Sequence, residues 1–175
     1  LNTKYQIIVF DQRGTGQSPA KGATYAIDEY LDYLDAISRY YNLDRFHLFG
    51  HSWGGLYAQI YAERNPDRVL SMFLSSPSSG TGIVWKETEK EVMWFNKRHS
   101  SFGGYLKMGF RSLLGILGSD AAYRAVFKQV LANYNKEFDP AFKATDSMVK
   151  NVRADPINKT RRQIAKYPLL KDAVD

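Results

Sequence analysis

Ser52 is the residue in this chain best placed to do covalent chemistry. It centres Gly50-His51-Ser52-Trp53-Gly54, a G-x-S-x-G pattern. The apolar run Phe46-His47-Leu48-Phe49 comes just before it, and Leu56, Tyr57, Ile60 and Tyr61 follow at helical spacing. A serine on a tight strand-to-helix turn sits in a strained backbone conformation, with its Oγ exposed at the carboxyl end of the strand. Gly50 and Gly54 lack a Cβ, so the two elements can approach closely around it. The Trp53 N–H then lies at a helix N-terminus, where it stabilises a developing oxyanion. The pattern predicts acyl transfer, with Ser52 as nucleophile and the Trp53 backbone N–H as oxyanion-hole donor.

A second motif lies upstream. Tyr5-Gln6-Ile7-Ile8-Val9-Phe10 reads as a β-rich strand that runs into the Gly-punctuated turn Asp11-Gln12-Arg13-Gly14-Thr15-Gly16-Gln17-Ser18. The pair DQRGTGQS and GHSWGG, separated by one amphipathic helix, resembles the α/β-hydrolase superfamily. Within it the chain looks most like the proline iminopeptidase branch, where D-Q-R-G-x-G-x-S and a Trp after the nucleophile are typical. That branch usually has Gly where this chain has His51. The resemblance is specific from about Tyr5 to Pro77. It implies a nucleophile elbow at Ser52 and an α/β class: a partial α/β-hydrolase fold, its parallel sheet carrying helices on both faces. It also implies a helical lid, or cap, inserted after the third strand. Residues 1–80 would then be a partial core and residues 81–175 the cap region.

Serine needs a base held by a third group. The histidines are His47, His51 and His99. His47 reads as a core residue inside a strand, His51 as pointing away from Ser52, and His99 as a surface or lid-packing residue. The resemblance implies the order Ser, then Asp or Glu, then His, with the last two after later strands. The triad acid and histidine are therefore expected outside this chain, beyond Asp175, and the second oxyanion donor before Leu1. The tail from Tyr167 to Asp175 looks like the approach to the strand preceding the acid. Asp11, Arg13 and Ser18 read as turn-fixing residues. A substrate α-ammonium would need carboxylates, for which Glu87, Glu89 and Glu91 are candidates against the alternative of a solvated helix face.

The elements that position these residues follow from periodicity. Ile27, Tyr30, Leu31, Leu34, Ile37 and Tyr41 form a helical stripe, with Asp28, Glu29 and Asp32 near its start. Val69 to Leu74 reads as a third strand. Strand, helix, strand, helix, strand implies a parallel sheet. Beyond Gly80, Trp85 to Lys97 reads as helical, and Ser100 to Asp120 is Gly-rich and apolar. Ala121 to Tyr134 is an amphipathic helix, and Ala141 to Val152 and Lys159 to Lys166 are short ones. In the superfamily an earlier strand lies between the first strand and the elbow strand. Without it, the first strand either stands apart or shifts to pair directly, and unpaired edges predict poor solubility.

Composition narrows the class. The 175 residues are 44% hydrophobic and 24% charged, as in a globular domain. There is no cysteine, which excludes disulfides and thiolate chemistry and fits a reducing, cytoplasmic setting. No apolar run is long enough for stable membrane insertion. Residues 1–85 hold 7 basic and 8 acidic side chains, and residues 86–175 hold 17 and 10. The basic residues form no aromatic-interleaved stripe, so nucleic acid is not the expected partner. Three scattered histidines make no metal site, and no cofactor is expected. The leading expectation is a serine hydrolase acting on a small peptide, amide or ester substrate, of the aminopeptidase type that the resemblance implies. The alternatives are a carboxylesterase or lipase-like enzyme, with Phe102 to Leu117 as a mobile lid, and a non-catalytic binding protein of the same fold.

Overall fold

A strand, a helix and a second strand, β1 (Phe46–His51), α2 (Trp53–Arg64) and β2 (Val69–Ser75), form the centre of the molecule. The computed structural model describes residues 4–18, 20, 24–78 and 80–167. Helix α1 (Ile27–Tyr40) precedes this unit. Helices α3 (Gly82–His99), α4 (Phe102–Ile116), α5 (Asp120–Asn135), α6 (Asp146–Val149) and α7 (Ala154–Lys166) follow it. The two strands are parallel, with Leu48 opposite Met72, Phe49 opposite Phe73 and His51 opposite Ser75. A crossover helix is what a parallel pair requires.

Helix α2 is apolar nearly all round because it is buried on both sides. Leu56, Tyr57, Ile60 and Tyr61 join one core with Ile27, Tyr30 and Leu31 of α1, Trp85 of α3 and Ile164 of α7. Each aliphatic side chain buried there contributes roughly 1.5–3 kcal/mol. Alternation along β1 sends Phe46 and Leu48 toward this core. Arg68 then ties the pieces together. Its Nη1 donates to Asp35 Oδ1 at 2.7 Å, and its Nη2 donates to Ser38 Oγ at 2.8 Å and the Leu43 carbonyl at 3.0 Å. The end of α1 is thereby fastened to the start of β2. Tyr61 donates to the same Asp35 oxygen at 2.7 Å.

The expected helices over the sheet are present on the face that α2 covers. On the opposite face Phe49 is 70% exposed and Phe73 65% exposed, stacked with ring centroids 5.5 Å apart. No helix among the described residues covers them.

Two expectations need correction. Tyr5 to Phe10 forms no strand: among the described residues the segment pairs with neither β1 nor β2, and Val9 is 87% exposed. A strand's hydrogen bonds lie between chains of a sheet, so a strong β pattern without a neighbour has nothing to form. The Gly-rich Ser100 to Asp120 segment, to which periodicity assigns no element, contains a full helix, α4. Ser101 caps it by accepting the Gly104 N–H at 3.1 Å, and Gly115 lies against the Tyr123 ring. The helix expected over Ala141 to Val152 shrinks to Asp146–Val149. There Asp139 Oδ1 accepts the Ala141 N–H at 3.0 Å and the Asp139 carbonyl accepts from Phe142 at 3.0 Å, a local turn that competes with helix.

Helix α7 begins at Ala154, before the expected Lys159, because Asp120 Oδ1 accepts the Ala154 N–H at 2.7 Å. Pro156 falls in the first turn, where its missing N–H costs nothing. The expectation for the tail from Pro168 to Asp175 lies outside the described residues. No helix among the described residues is long and apolar enough to cross a membrane.

Candidate active site

Ser52 occupies the single residue between β1 and α2, with φ 53° and ψ −123°. Positive φ is unfavourable for a residue with a Cβ and costs about 1–3 kcal/mol unless its surroundings impose it. Here they do. The Ser52 N–H donates to the Ser75 carbonyl at 3.3 Å, and the Ser52 carbonyl accepts from Gly55 at 2.9 Å, Leu56 at 3.3 Å and Ser78 at 3.0 Å. The end of β2 and the start of α2 thus hold both backbone groups of one residue. The side chain is left exposed.

The glycines around Ser52 differ in what they allow. A Cβ on Gly50 would stand 2.6 Å from the Gly54 carbonyl oxygen and 2.6 Å from Gly55 Cα. A Cβ on Gly55 would stand 2.7 Å from Pro77 Cβ. A Cβ on Gly54 would meet Gln12 Nε2 at an ordinary 3.6 Å. The close approach expected of Gly50 and Gly54 therefore belongs to Gly50 and Gly55. The Gly54 neighbour shows that the Asp11–Ser18 turn lies beside the start of α2. Gln12 was not among the candidate residues; its signal was its place inside the DQRG motif.

Trp53 opens α2, so its N–H has no intrahelical acceptor. Its indole packs against the core and lies 6.1 Å from the Trp85 ring, centroid to centroid. Within the Asp11–Ser18 turn, Asp11 Oδ2 accepts the Gln17 N–H at 2.9 Å and the Ser18 carbonyl accepts the Gly14 N–H at 2.8 Å. Arg13 lies 3.5 Å from Glu29 and over the Tyr33 ring at 5.2 Å. These residues hold the turn.

None of the three histidines is hydrogen-bonded to the Ser52 side chain among the described residues. His51 is exposed on the turn. His47 is exposed as well, on the uncovered sheet face, with Nδ1 2.8 Å from Ser71 Oγ. That corrects the expectation of a core residue: alternation sends His47 to the face opposite Phe46 and Leu48. His99 lies in α3, Nδ1 2.8 Å from the Phe95 carbonyl and Nε2 3.2 Å from Glu137. Of the three glutamates, Glu87 and Glu91 are exposed. Glu89 Oε1 accepts from Arg161 Nε at 2.8 Å and Nη2 at 2.5 Å. Trp85, Glu89, Ile116, Asn158, Arg161 and Arg162 help to line an open cleft of about 240 Å³. Among the described residues, no group of His, Cys, Asp and Glu is arranged to hold a metal ion.

The sequence profile of the alpha/beta hydrolase fold matches residues 1–163. The chain belongs to the alpha/beta hydrolase fold family. Among the relatives of this hydrolase-fold chain is a proline iminopeptidase of Heyndrickxia coagulans, 34% identical over 86 residues, which are 48% of this chain and 30% of the relative. Another, from Clostridioides difficile (strain 630), is 33% identical over 95 residues, 53% of this chain and 32% of the relative. A third, from Lactobacillus helveticus, is 31% identical over 93 residues, 51% of this chain and 32% of the relative. The likeness read from DQRGTGQS and GHSWGG is thus to the proline iminopeptidase branch. The matched stretch of the hydrolase-fold chain spans about a third of each relative's length.

Proposed function

We propose that this chain carries the nucleophile turn of a serine hydrolase that removes the N-terminal residue of small peptides. The observation that supports it is the conformation of Ser52: φ 53° at an exposed serine between a parallel strand and a helix N-terminus. Strain of this kind persists where function uses it. The names of the relatives supply the peptide.

In this reading Ser52 Oγ attacks the carbonyl carbon of the N-terminal residue as a general base takes its proton. The carbonyl oxygen becomes an oxyanion, and the Trp53 N–H donates to it. The carbon–nitrogen bond breaks as the base returns the proton to the leaving amine. Water then hydrolyses the Ser52 acyl ester and frees the enzyme. The base and the acid are left unassigned, because among the described residues none of the three histidines is hydrogen-bonded to Ser52. In the same reading residues 81–175, which carry α3 to α7, form the cap region.

A fluorophosphonate probe on the complete gene product tests this. Labelling that disappears in Ser52→Ala, with turnover of a proline anilide, is the expected result. Turnover of short acyl esters alone would replace the peptidase with an esterase. A folded protein that resists labelling would sink the catalytic reading and leave a binding protein of the same fold.

A further inference from the structure

Helix α4 presents an apolar stripe that the described residues leave open. Phe102, Leu106, Phe110, Leu113 and Leu117 recur every three or four positions, which stacks them along one side of the helix, and each is more than half exposed. The other side is occupied. Gly115 lies against the Tyr123 ring of α5, and Asn158 of α7 donates to the Gly115 and Ile116 carbonyls at 3.1 Å. A continuous exposed apolar stripe marks a surface with a partner.

The charge around the stripe has one sign. From Val92 to Ser119 the chain carries Lys97, Arg98, Lys107 and Arg111 and no carboxylate. Lys107 and Arg111 lie one turn apart on α4 and border the stripe. Arg98 stands over the exposed Trp94 ring at 4.3 Å. None of the four is ion-paired with a described residue. Asp120, the next carboxylate along the chain, accepts the Ala154 N–H at 2.7 Å and lies 3.8 Å from both Arg124 and Arg153.

The chemistry of the partner follows. An anionic lipid surface offers an apolar layer to the stripe and phosphates to the cations beside it. A second copy of the chain would bring the same cations to the contact, and the segment has no carboxylate to meet them. The helix is already formed and capped by Ser101, so docking does not have to order it.

We propose that α4 docks this protein on anionic lipid membranes, with its Phe and Leu stripe in the acyl boundary and Lys107 and Arg111 at the headgroup phosphates. The helix lies along the surface rather than across it, and the inference is independent of the chemistry at Ser52.

The test is co-sedimentation of the complete gene product with vesicles of phosphatidylcholine alone and of phosphatidylcholine mixed with phosphatidylglycerol. The protein should pellet with the mixed vesicles, less so at high salt, and should stay in solution with the neutral ones. Lys107→Gln with Arg111→Gln should weaken binding on the order of thirtyfold, because each cation near the surface contributes about 1 kcal/mol. Leu106→Gln with Phe110→Gln, which keeps good helix formers on an exposed face, should abolish binding while the circular dichroism spectrum stays unchanged. Failure to pellet with the mixed vesicles, or binding that both double variants retain in full, would overturn the proposal. A protein that stays in solution as a dimer, and that Leu106→Gln with Phe110→Gln turns into a monomer, would overturn it in favour of a second copy.

Discussion

The β1–α2–β2 unit and the α4 helix solve opposite problems. In the first, one residue's backbone is held by four hydrogen bonds from α2, β2 and the loop after β2, and Gly50 and Gly55 leave no room for a methyl group. In the second, Phe102, Phe110 and Leu117 are 80%, 62% and 76% exposed, and no atom outside the helix lies near the positions a Cβ would take at Gly103 and Gly109. The first region has its conformation imposed by the neighbours that hold the Ser52 backbone and crowd Gly50 and Gly55. The second keeps a helix by its own cap and by packing one face on α5. Rigidity at Ser52 is therefore a property of contact, not of the turn sequence alone.

The largest effect follows at the tight positions. Gly55→Ala puts a methyl group against the Pro77 ring, and Gly50→Ala puts one against backbone. Neither neighbour is a flexible side-chain end, so each substitution should lower stability by about 3 kcal/mol. Gly54→Ala should be neutral or raise stability by up to about 1 kcal/mol, because its methyl group meets only the Gln12 side chain at an ordinary distance and alanine is the better helix former. Denaturant midpoints of the three variants measure this. Equal losses at all three would mean that the turn tolerates no methyl group for reasons other than contact.

Alkaline pH should destabilise the core around Tyr61. Burial, and then donation to Asp35, push the Tyr61 phenol up to about 12 from an ordinary value near 10. A group whose folded value is raised keeps its proton in the folded state after the unfolded chain has lost it. Its contribution is complete below pH 10 and is lost as pH rises from 10 toward 12. Stability should fall across that window, and Tyr61→Phe should flatten the fall while lowering stability at neutral pH. A slope unaltered by Tyr61→Phe would assign it to other groups.

What sequence could and could not convey follows the same division. Ser52, its helix and β2 were legible because each depends on residues close in sequence: an apolar alternation, a G-x-S-x-G turn, a helical stripe. The turn at Asp11–Ser18 was legible for the same reason. The strand before it was not formed, because Tyr5 to Phe10 can become a strand only beside another. The exposure of His47 and the crowding at Gly55 were hidden too, since they depend on which sheet face is covered and on Pro77 folding back. Helix α4 was not legible, because its glycines at 103, 104 and 109 blur the helical period that a Ser101 cap and a Gly115–Tyr123 contact sustain in the structure.

Two stacked tyrosines offer a finer test. Tyr30 and Tyr57 lie face to face, centroids 4.6 Å apart, where α1 crosses α2. Tyr30 shares a hydrogen bond with Thr160 of α7 at 3.0 Å, whereas the buried Tyr57 hydroxyl lies beside the Tyr30 and Thr160 hydroxyls but meets hydrogen-bond geometry with no described residue. Removing a paired hydroxyl leaves Thr160 buried without its partner, and removing an unpaired one leaves nothing behind. Tyr30→Phe should destabilise by about 1 kcal/mol and Tyr57→Phe should stabilise by a similar amount or be neutral. Thermal midpoints that fall equally in both variants would show that Tyr57 finds a partner in solution.

The smallest effect belongs to α4 and returns to the contrast with the Ser52 turn. Gly103→Ala and Gly109→Ala add a methyl group where nothing stands within 4 Å. Alanine loses less backbone freedom on folding than glycine, so each should raise stability by about 0.5–1 kcal/mol. The same substitution thus changes sign between two regions of one chain. Thermal midpoints that fall in both variants would mean that the open face of α4 is covered in solution. The exposed residues Phe102, Phe110 and Leu117 would then be an interface. A rise would show that α4 stands open to solvent at Gly103 and Gly109, unlike the glycines packed around the strained serine.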